Sequence, residues 1–175
     1  MADRSNHYER AFADYVRARR LSCLPVDESR RAVFGDQTLK SPDYLVAVPG
    51  RGVLLVDVKG RRLKGRGIGL ENWVTIDDLA SLVRWRGLFP SGSASVLAFV
   101  YWLPDAAEGE RWENFFEFEG RRYGMLAIGA EDYVRIMRCR SAKWKTFAAP
   151  RERFRGAARP FTDWLAPLPE VSHAG

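Results

Sequence analysis

Residues 42–59 read PDYLVAVPGRGVLLVDVK, two apolar runs rich in β-branched residues on either side of a proline–glycine turn. Runs 44–48 and 53–58 have the composition of β-strands, and the turn around Gly50 predicts that they pair as a hairpin. A hairpin centred on Gly50 sets Asp43 opposite Asp57, because the two positions are equally distant from the turn. Opposed carboxylates repel each other across a sheet, so a compensating positive charge is expected beside them.

A divalent cation is the expected source of that positive charge. Mg²⁺ prefers oxygen ligands and commonly binds one or two carboxylates together with waters. Lys59 follows Asp57 by two positions, which places both side chains on the same face of one strand. Two acids and a lysine on one patch therefore predict a site that holds a metal ion and a phosphate.

The pattern Pro42-Asp43 followed by Asp57-x-Lys59, set in a β-hairpin, resembles the motif of the PD-(D/E)xK nucleases, the restriction-endonuclease-like superfamily. Near the start of the chain, residues 7–12 read HYERAF, which resembles the signature of the HYExAFE family, distant relatives of the same superfamily. That signature ends in a glutamate, whereas this chain has Ala13. Recognisable elements cover about residues 6–103.

The resemblance implies an α/β fold with a mixed sheet and a restriction-endonuclease-like core in the order α-β-β-β-α-β. The residue pattern predicts the same order. A helix capped by Asn6 runs to about Arg20, a strand spans Val26 to Val33, and the hairpin follows. A capping sequence at Thr75-x-x-Asp78 then opens a second helix, and Ser95 to Leu103 returns as a strand.

Residues beyond 103 are predicted to extend the same single domain, which spans 1–175. This C-terminal basic and aromatic extension covers about 104–166, and residues 167–175 form a frayed tail. Within the extension we expect a hairpin from Phe115 to Ile128 that turns near Gly120, and a short helix from Ala130 to Cys139.

The resemblance implies a metal-dependent phosphodiesterase. Asp43 and Asp57 would hold Mg²⁺, with Mn²⁺ as a substitute, and the Val58 carbonyl and Glu9 would be further oxygen ligands. Glu28 is a rival to Glu9 for the third carboxylate. Lys59 would either orient or deprotonate the attacking water, or neutralise charge that builds up on the phosphate.

The positive charge of the chain is concentrated in two segments. The sequence carries 28 basic and 22 acidic residues, a net charge of +6. Residues 135–159 hold nine basic residues against one acid, and residues 59–66 hold five basic residues and no acid. Aromatic residues interleave with the charge, which is typical of nucleic-acid-binding surfaces. The predicted nucleic-acid contacts are Arg61, Arg62, Lys64, Arg66, Lys143, Trp144, Lys145, Arg151, Arg153 and Arg155. Trp73 either stacks on an unpaired base or packs in the core.

Other classes of protein fit the sequence less well. The two cysteines are not in a metal-ligand or redox spacing. The longest apolar stretch, Ala94 to Leu103, is too short to span a bilayer, and the start of the chain does not resemble a secretory signal. These features predict a cytoplasmic protein without membrane partners.

Three functions are compatible with this sequence. The first is a nuclease acting on DNA, structure-dependent or weakly sequence-specific, which the resemblance also implies to be a homodimer. The second is a nucleic-acid-binding module that kept the fold and lost catalysis. The third is an unrelated α/β protein in which Asp43, Asp57 and Lys59 form a surface salt-bridge patch. Intact acids and the localised basic charge favour the first, with DNA preferred over RNA as the substrate.

Overall fold

The computed structural model describes residues 6–27, 32–34, 37–63, 70–104, 112 and 114–168. The helices among these residues are α1 His7–Ala18, α2 Ile76–Arg86, α3 Ala130–Ile136, α4 Arg151–Ala157 and α5 Phe161–Trp164. Its strands are β1 Ser22–Pro25, β2 Ala32–Phe34, β3 Gln37–Leu39, β4 Tyr44–Val48, β5 Gly52–Arg62, β6 Val74–Thr75, β7 Ala94–Leu103, β8 Phe116–Phe118, β9 Arg121–Gly129, β10 Arg138–Ser141, β11 Thr146–Ala148 and β12 Arg159–Pro160. None of the helices in this described part of the chain is long and apolar enough to cross a membrane.

A seven-stranded mixed sheet forms the centre of the molecule. Its strand order is β1-β4-β5-β7-β9-β12, with β8 paired to β9. Strands β5 and β7 run parallel, joined through α2, and the other pairs are antiparallel. The predicted order α-β-β-β-α-β is therefore confirmed as α1, β1, β4, β5, α2 and β7.

The two faces of the sheet carry separate cores. Alternate residues of β5, among them Leu54 and Val56, pack with the buried stripe of α1. The intervening residue Leu55 packs with α2, α3 and α4 in a second cluster around Phe99. Long apolar runs such as β7 are thus explained by a sheet that is covered on both faces.

Two predicted elements have different bounds in the structure. The first core strand is Ser22–Pro25, not 26–33, and it pairs with β4. The pairing ends with a hydrogen bond from the Val26 amide to the Asp43 carbonyl. This strand lies at the edge of the sheet and is largely exposed, so it lacks the alternation of apolar residues that marks a strand. Helix α3 ends at Ile136 because the chain then enters β10, whose pairing with β11 outweighs local helix propensity.

Residues beyond 103 contribute to the central sheet. Strand β9 pairs with β7 from Val96 to Leu103, and β12 pairs with β9 on its other side. The hairpin predicted to turn near Gly120 is formed by β8 and β9. A tight turn is possible there because Gly120 adopts a φ of 71°, a conformation that glycine tolerates readily.

We expect Gly60→Ala to lower the free energy of unfolding by about 1–3 kcal/mol, because α1 crosses β5 closely at this position. A Cβ at Gly60 would lie 2.3–2.9 Å from Tyr8 side-chain atoms. Gly156→Ala is the matched control, because no atom lies within 4 Å of the added Cβ in α4. That variant should gain about 0.5–1 kcal/mol. Urea unfolding measures the free energy of unfolding of both variants, and equal changes in that free energy would contradict the expectation.

Candidate active site

The hairpin of β4 and β5 brings Asp43 next to Asp57, as the sequence predicts. Tyr44 pairs with Val56, so Asp57 is the next residue along β5 from that pair. The Asp43 carboxylate accepts a hydrogen bond from the Val58 amide, with a distance of 2.6 Å between Oδ2 and the nitrogen. Both carboxylates are buried, at 8% exposed for Asp43 and 4% for Asp57.

Lys59 lies on the same face of β5 as Asp57, towards α2. Its Nζ is 2.7 Å from Oδ2 of Asp57 and 2.7 Å from Oδ2 of Asp78. Asp78 also pairs through Oδ1 with Nζ of Lys40, at 2.6 Å. The site is therefore a chain of alternating charges, Lys40–Asp78–Lys59–Asp57.

Asp78 and Lys40 were not among the residues predicted for this site. The sequence identifies Asp78 only as part of a helix cap, and its amide does donate to the Thr75 hydroxyl at the start of α2. The Asp78 carboxylate, however, points to the two lysines. Lys40 is held against α2 because its amide donates to the Ser81 hydroxyl and its carbonyl accepts from the Trp85 indole.

Burial and pairing shift the pKa values of these groups. Burial raises the pKa of Asp57, and the opposing attraction of Lys59 does not cancel that rise. Burial acts to lower the pKa of Lys59, but Asp57 and Asp78 outweigh it and raise that pKa overall. Burial likewise acts to raise the pKa of Asp78, yet Lys59 and Lys40 hold it below its ordinary value. Lys59 is thus a firmly protonated cation at neutral pH.

The carboxylates of Asp43 and Asp57 are chemically suited to a divalent metal ion, with waters as its other ligands. Oδ2 of Asp57 is buried and has an ion-pair contact with Lys59, but no donor in hydrogen-bond geometry. Carboxylate oxygens of this kind are the ligands that Mg²⁺ prefers. Among the described residues no group of three or more acidic, histidine or cysteine side chains is arranged to hold a metal. Val58 as a carbonyl ligand stays a prediction.

Glu9 is not part of a three-carboxylate group with Asp43 and Asp57 in the described structure. Its Oε1 accepts a hydrogen bond of 2.8 Å from the Asn6 side chain. Helix α1 packs on the sheet face opposite the one to which Asp57 and Lys59 point. The role of Glu9 as a ligand stays a prediction, and its rival Glu28 lies outside the described residues.

The basic residues that follow the motif lie on different faces. Arg61 is half-buried, with its guanidinium 4.3 Å from the ring centre of Trp73, and it donates to the carbonyls of Gly60 and Trp73. The Arg140 guanidinium lies 5.3 Å from the same ring centre, so Trp73 contacts two cations. Arg62 is exposed on the α1 face, 4.8 Å from the ring centre of Trp102. Lys64 and Arg66 lie outside the described residues.

The C-terminal basic residues lie on the same side of the sheet as Lys59. Phe154 of α4 packs edge-on against Phe99 on this face, which leaves the basic residues of the helix towards solvent. These exposed residues of α4 are Arg151, Arg153 and Arg155. Lys143, Trp144 and Lys145 form the turn between β10 and β11, and the Trp144 side chain is 70% exposed.

A cleft of about 650 Å³ adjoins the charged chain. It lies between β3, α2 and the β10–β11 turn, and we refer to it as the Trp144 cleft. The lining residues that matter for the chemistry are Lys40, Asp78, Ser81, Arg84, Trp144 and Lys145. Lys40 and Asp78 belong to both the cleft and the charged chain, so the cleft adjoins the chain at Asp78, whose carboxylate contacts Lys59.

Comparison with known proteins bears on the fold. No protein-family model matches the chain. No curated protein sequence matches it either. A solved structure does match, that of Hjc from Archaeoglobus fulgidus, described as a Holliday junction resolvase from an archaeal hyperthermophile. The TM-score is 0.55 at 16% identity, over 91% of this chain and 98% of that one. The fold is thus restriction-endonuclease-like, as the sequence predicts.

Proposed function

We propose that this protein is a metal-dependent nuclease that hydrolyses phosphodiester bonds in DNA. The observation that carries the proposal is the group of Asp43, Asp57 and Lys59, which lie next to each other on one face of the central sheet. The fold that contains this sheet is similar to that of a Holliday junction resolvase. Two carboxylates and a cation at one point match what phosphodiester hydrolysis requires. A preference for branched or otherwise irregular DNA over particular sequences belongs to the same proposal.

The residues divide the work between them. Asp43 and Asp57 would hold Mg²⁺, or Mn²⁺ in its place. When bound, such an ion polarises the phosphoryl oxygen and lowers the pKa of a bound water. Lys59 supplies a fixed positive charge beside the phosphate, where negative charge builds up as water attacks and the leaving oxygen departs. Its raised pKa favours this electrostatic role over that of a general base.

Asp78 is proposed to position Lys59. Its carboxylate holds the Lys59 ammonium from the α2 side at 2.7 Å. Because Lys40 neutralises part of the Asp78 charge, Lys59 keeps enough positive charge to attract a phosphate. This arrangement links the position of the lysine to the packing of α2 on β5.

The finer parts of the proposal rest on the sequence. Membership of the HYExAFE family, a homodimer and a cytoplasmic location stay predictions. The basic residues of 143–145 and α4 would contact the DNA backbone, where charge gives affinity that depends on salt and not on sequence. A catalytically inactive DNA-binding module is the alternative, favoured because no group of three or more acidic, histidine or cysteine side chains among the described residues is arranged to hold a metal ion.

A cleavage assay at low salt tests the proposed function. Single-stranded, duplex, flapped and four-way-junction DNA, with an RNA control, are incubated with the protein in Mg²⁺, in Mn²⁺ and in EDTA. Products that require the metal and are most abundant with a branched DNA are expected. Tight DNA binding without products from any substrate would support the inactive binding module instead.

Magnesium is expected to stabilise the folded protein through Asp57. A ligand that binds only the native state raises the free energy of unfolding, by about 2.7 kcal/mol at one hundred times its dissociation constant. Thermal unfolding in MgCl₂, compared with NaCl of equal ionic strength, should raise the Tm of the wild type and not of Asp57→Asn. Asp14→Asn, an exposed change on α1, is the matched control and should behave like the wild type. Equal shifts in all three proteins would contradict a metal site at Asp57.

A further inference from the structure

We infer that the Trp144 cleft binds an unpaired nucleotide of the DNA substrate, next to the bond that is cut. This inference rests on the proposed nuclease function and names the structural feature of DNA that the site would select. It is carried by the exposure of Trp144, by the cations around the cleft, and by Asp78, which lines the cleft and contacts Lys59.

Trp144 is exposed and is carried by an anchored turn, as expected of a side chain on which a base stacks. Its side chain is 70% exposed, the second-largest exposed fraction among the large apolar side chains of the described residues after Val33. The turn that carries it is anchored, because the Lys145 carbonyl accepts a hydrogen bond of 3.0 Å from the Ile76 amide at the start of α2. A tryptophan that is exposed on an anchored turn leaves its ring accessible, so an unpaired base can stack on it.

The charges around the cleft suit the phosphates on either side of such a base. Lys40, Arg84 and Lys145 line the cleft, and Nζ of Lys143 lies 5.3 Å from the Trp144 ring centre. The lining also holds two acids, Asp77 and Asp78, and Asp78 is already paired with two lysines. A base stacked on Trp144 would therefore have cations within reach of its phosphates.

The size and position of the cleft favour an unpaired nucleotide over a duplex. A volume of about 650 Å³ lies within the range of small-molecule sites, roughly 300–1,000 Å³. A paired base offers only its edges to a protein, since its faces are covered by neighbouring base pairs, whereas an unpaired base can stack on an aromatic side chain. Asp78, in the cleft wall, contacts Lys59, so a nucleotide in the cleft lies next to the proposed reaction centre.

Binding measurements in EDTA test this inference without cleavage. Fluorescence anisotropy compares a labelled duplex with the same duplex carrying a short single-stranded gap, for wild type, Trp144→Ala and Trp144→Phe. We expect Trp144→Ala to weaken binding to gapped DNA by about 5- to 150-fold and binding to the duplex by less than twofold. Trp144→Phe should retain most of the affinity for gapped DNA, because its ring still stacks.

Phe115→Ala serves as the matched control, since Phe115 is an aromatic residue that is 41% exposed and lies outside the cleft. It should leave both affinities unchanged. The inference is overturned if Trp144→Ala weakens both DNAs equally, or changes neither. The outcome is separable from that of the proposed function: selective loss of gapped-DNA binding in a protein that cleaves nothing in Mg²⁺ would reject the nuclease and keep the cleft.

Discussion

Asp57→Asn is expected to reduce the rate of DNA cleavage by about a thousandfold while binding to DNA is kept or tightened. The substitution removes one of the two carboxylates that would hold the metal, and it preserves the shape of the side chain. It also removes a negative charge that lies 2.7 Å from Nζ of Lys59. The charge of Lys59 is then less compensated, so the lysine attracts a phosphate more strongly. Single-turnover cleavage and anisotropy on the same branched DNA measure the two effects separately.

Asp14→Asn provides the control for this variant, because it makes the same chemical change at an exposed position. Its cleavage rate and affinity should both equal those of the wild type. A cooperative thermal unfolding transition is the test that Asp57→Asn is folded. A folded variant that cleaves at the wild-type rate would remove Asp57 from the reaction and, with it, the proposed metal site.

Lys59→Met should cost about 3–5 kcal/mol of unfolding free energy at pH 7, because it leaves two acids without their shared cation. Asp57 is 5% exposed and Asp78 is 8% exposed at the side chain, so water replaces little of the lost interaction. Lys143→Met, at an exposed position, is the matched control and should change stability by less than about 0.5 kcal/mol.

The cost of Lys59→Met should also depend on pH. Burial already raises the pKa of Asp57 in the wild type, and removal of Lys59 raises it further. A carboxyl with a raised folded pKa gives stability that is present below its unfolded pKa, about 3.9, and lost as pH rises through the folded value. The gap between wild type and variant is therefore small near pH 4 and widens towards pH 7.

Urea unfolding at several pH values measures that gap. The double variant Asp57→Asn/Lys59→Met should recover part of the lost stability at pH 7 and should not recover cleavage. A gap of equal size at pH 4 and pH 7 would mean that Lys59 stabilises the protein through the packing of its chain and not through its charge.

Local patterns were sufficient to predict the part of the fold that carries the motif. The hairpin of β4 and β5 forms in the predicted register because the turn at Gly50 and the period of two along each strand both specify it. The start of α2 was equally visible, since Thr75 caps the helix through contacts three residues apart. Strand β1 was misplaced because it is an exposed edge strand, and its pairing with β4 is not encoded in its own sequence.

The candidate site was predictable only as far as the hairpin extends. Asp43, Asp57 and Lys59 lie on one hairpin, and the sequence therefore determined that they meet. Asp78 reaches Lys59 across 19 positions of chain and Lys40 across 38, because α2 folds back over β5. The tertiary structure alone decided this contact, the raised pKa of Lys59 and the position of Trp144 in the cleft. The physical reason is that turn geometry and strand periodicity act between near neighbours, whereas charge pairing and burial depend on which distant segments pack together.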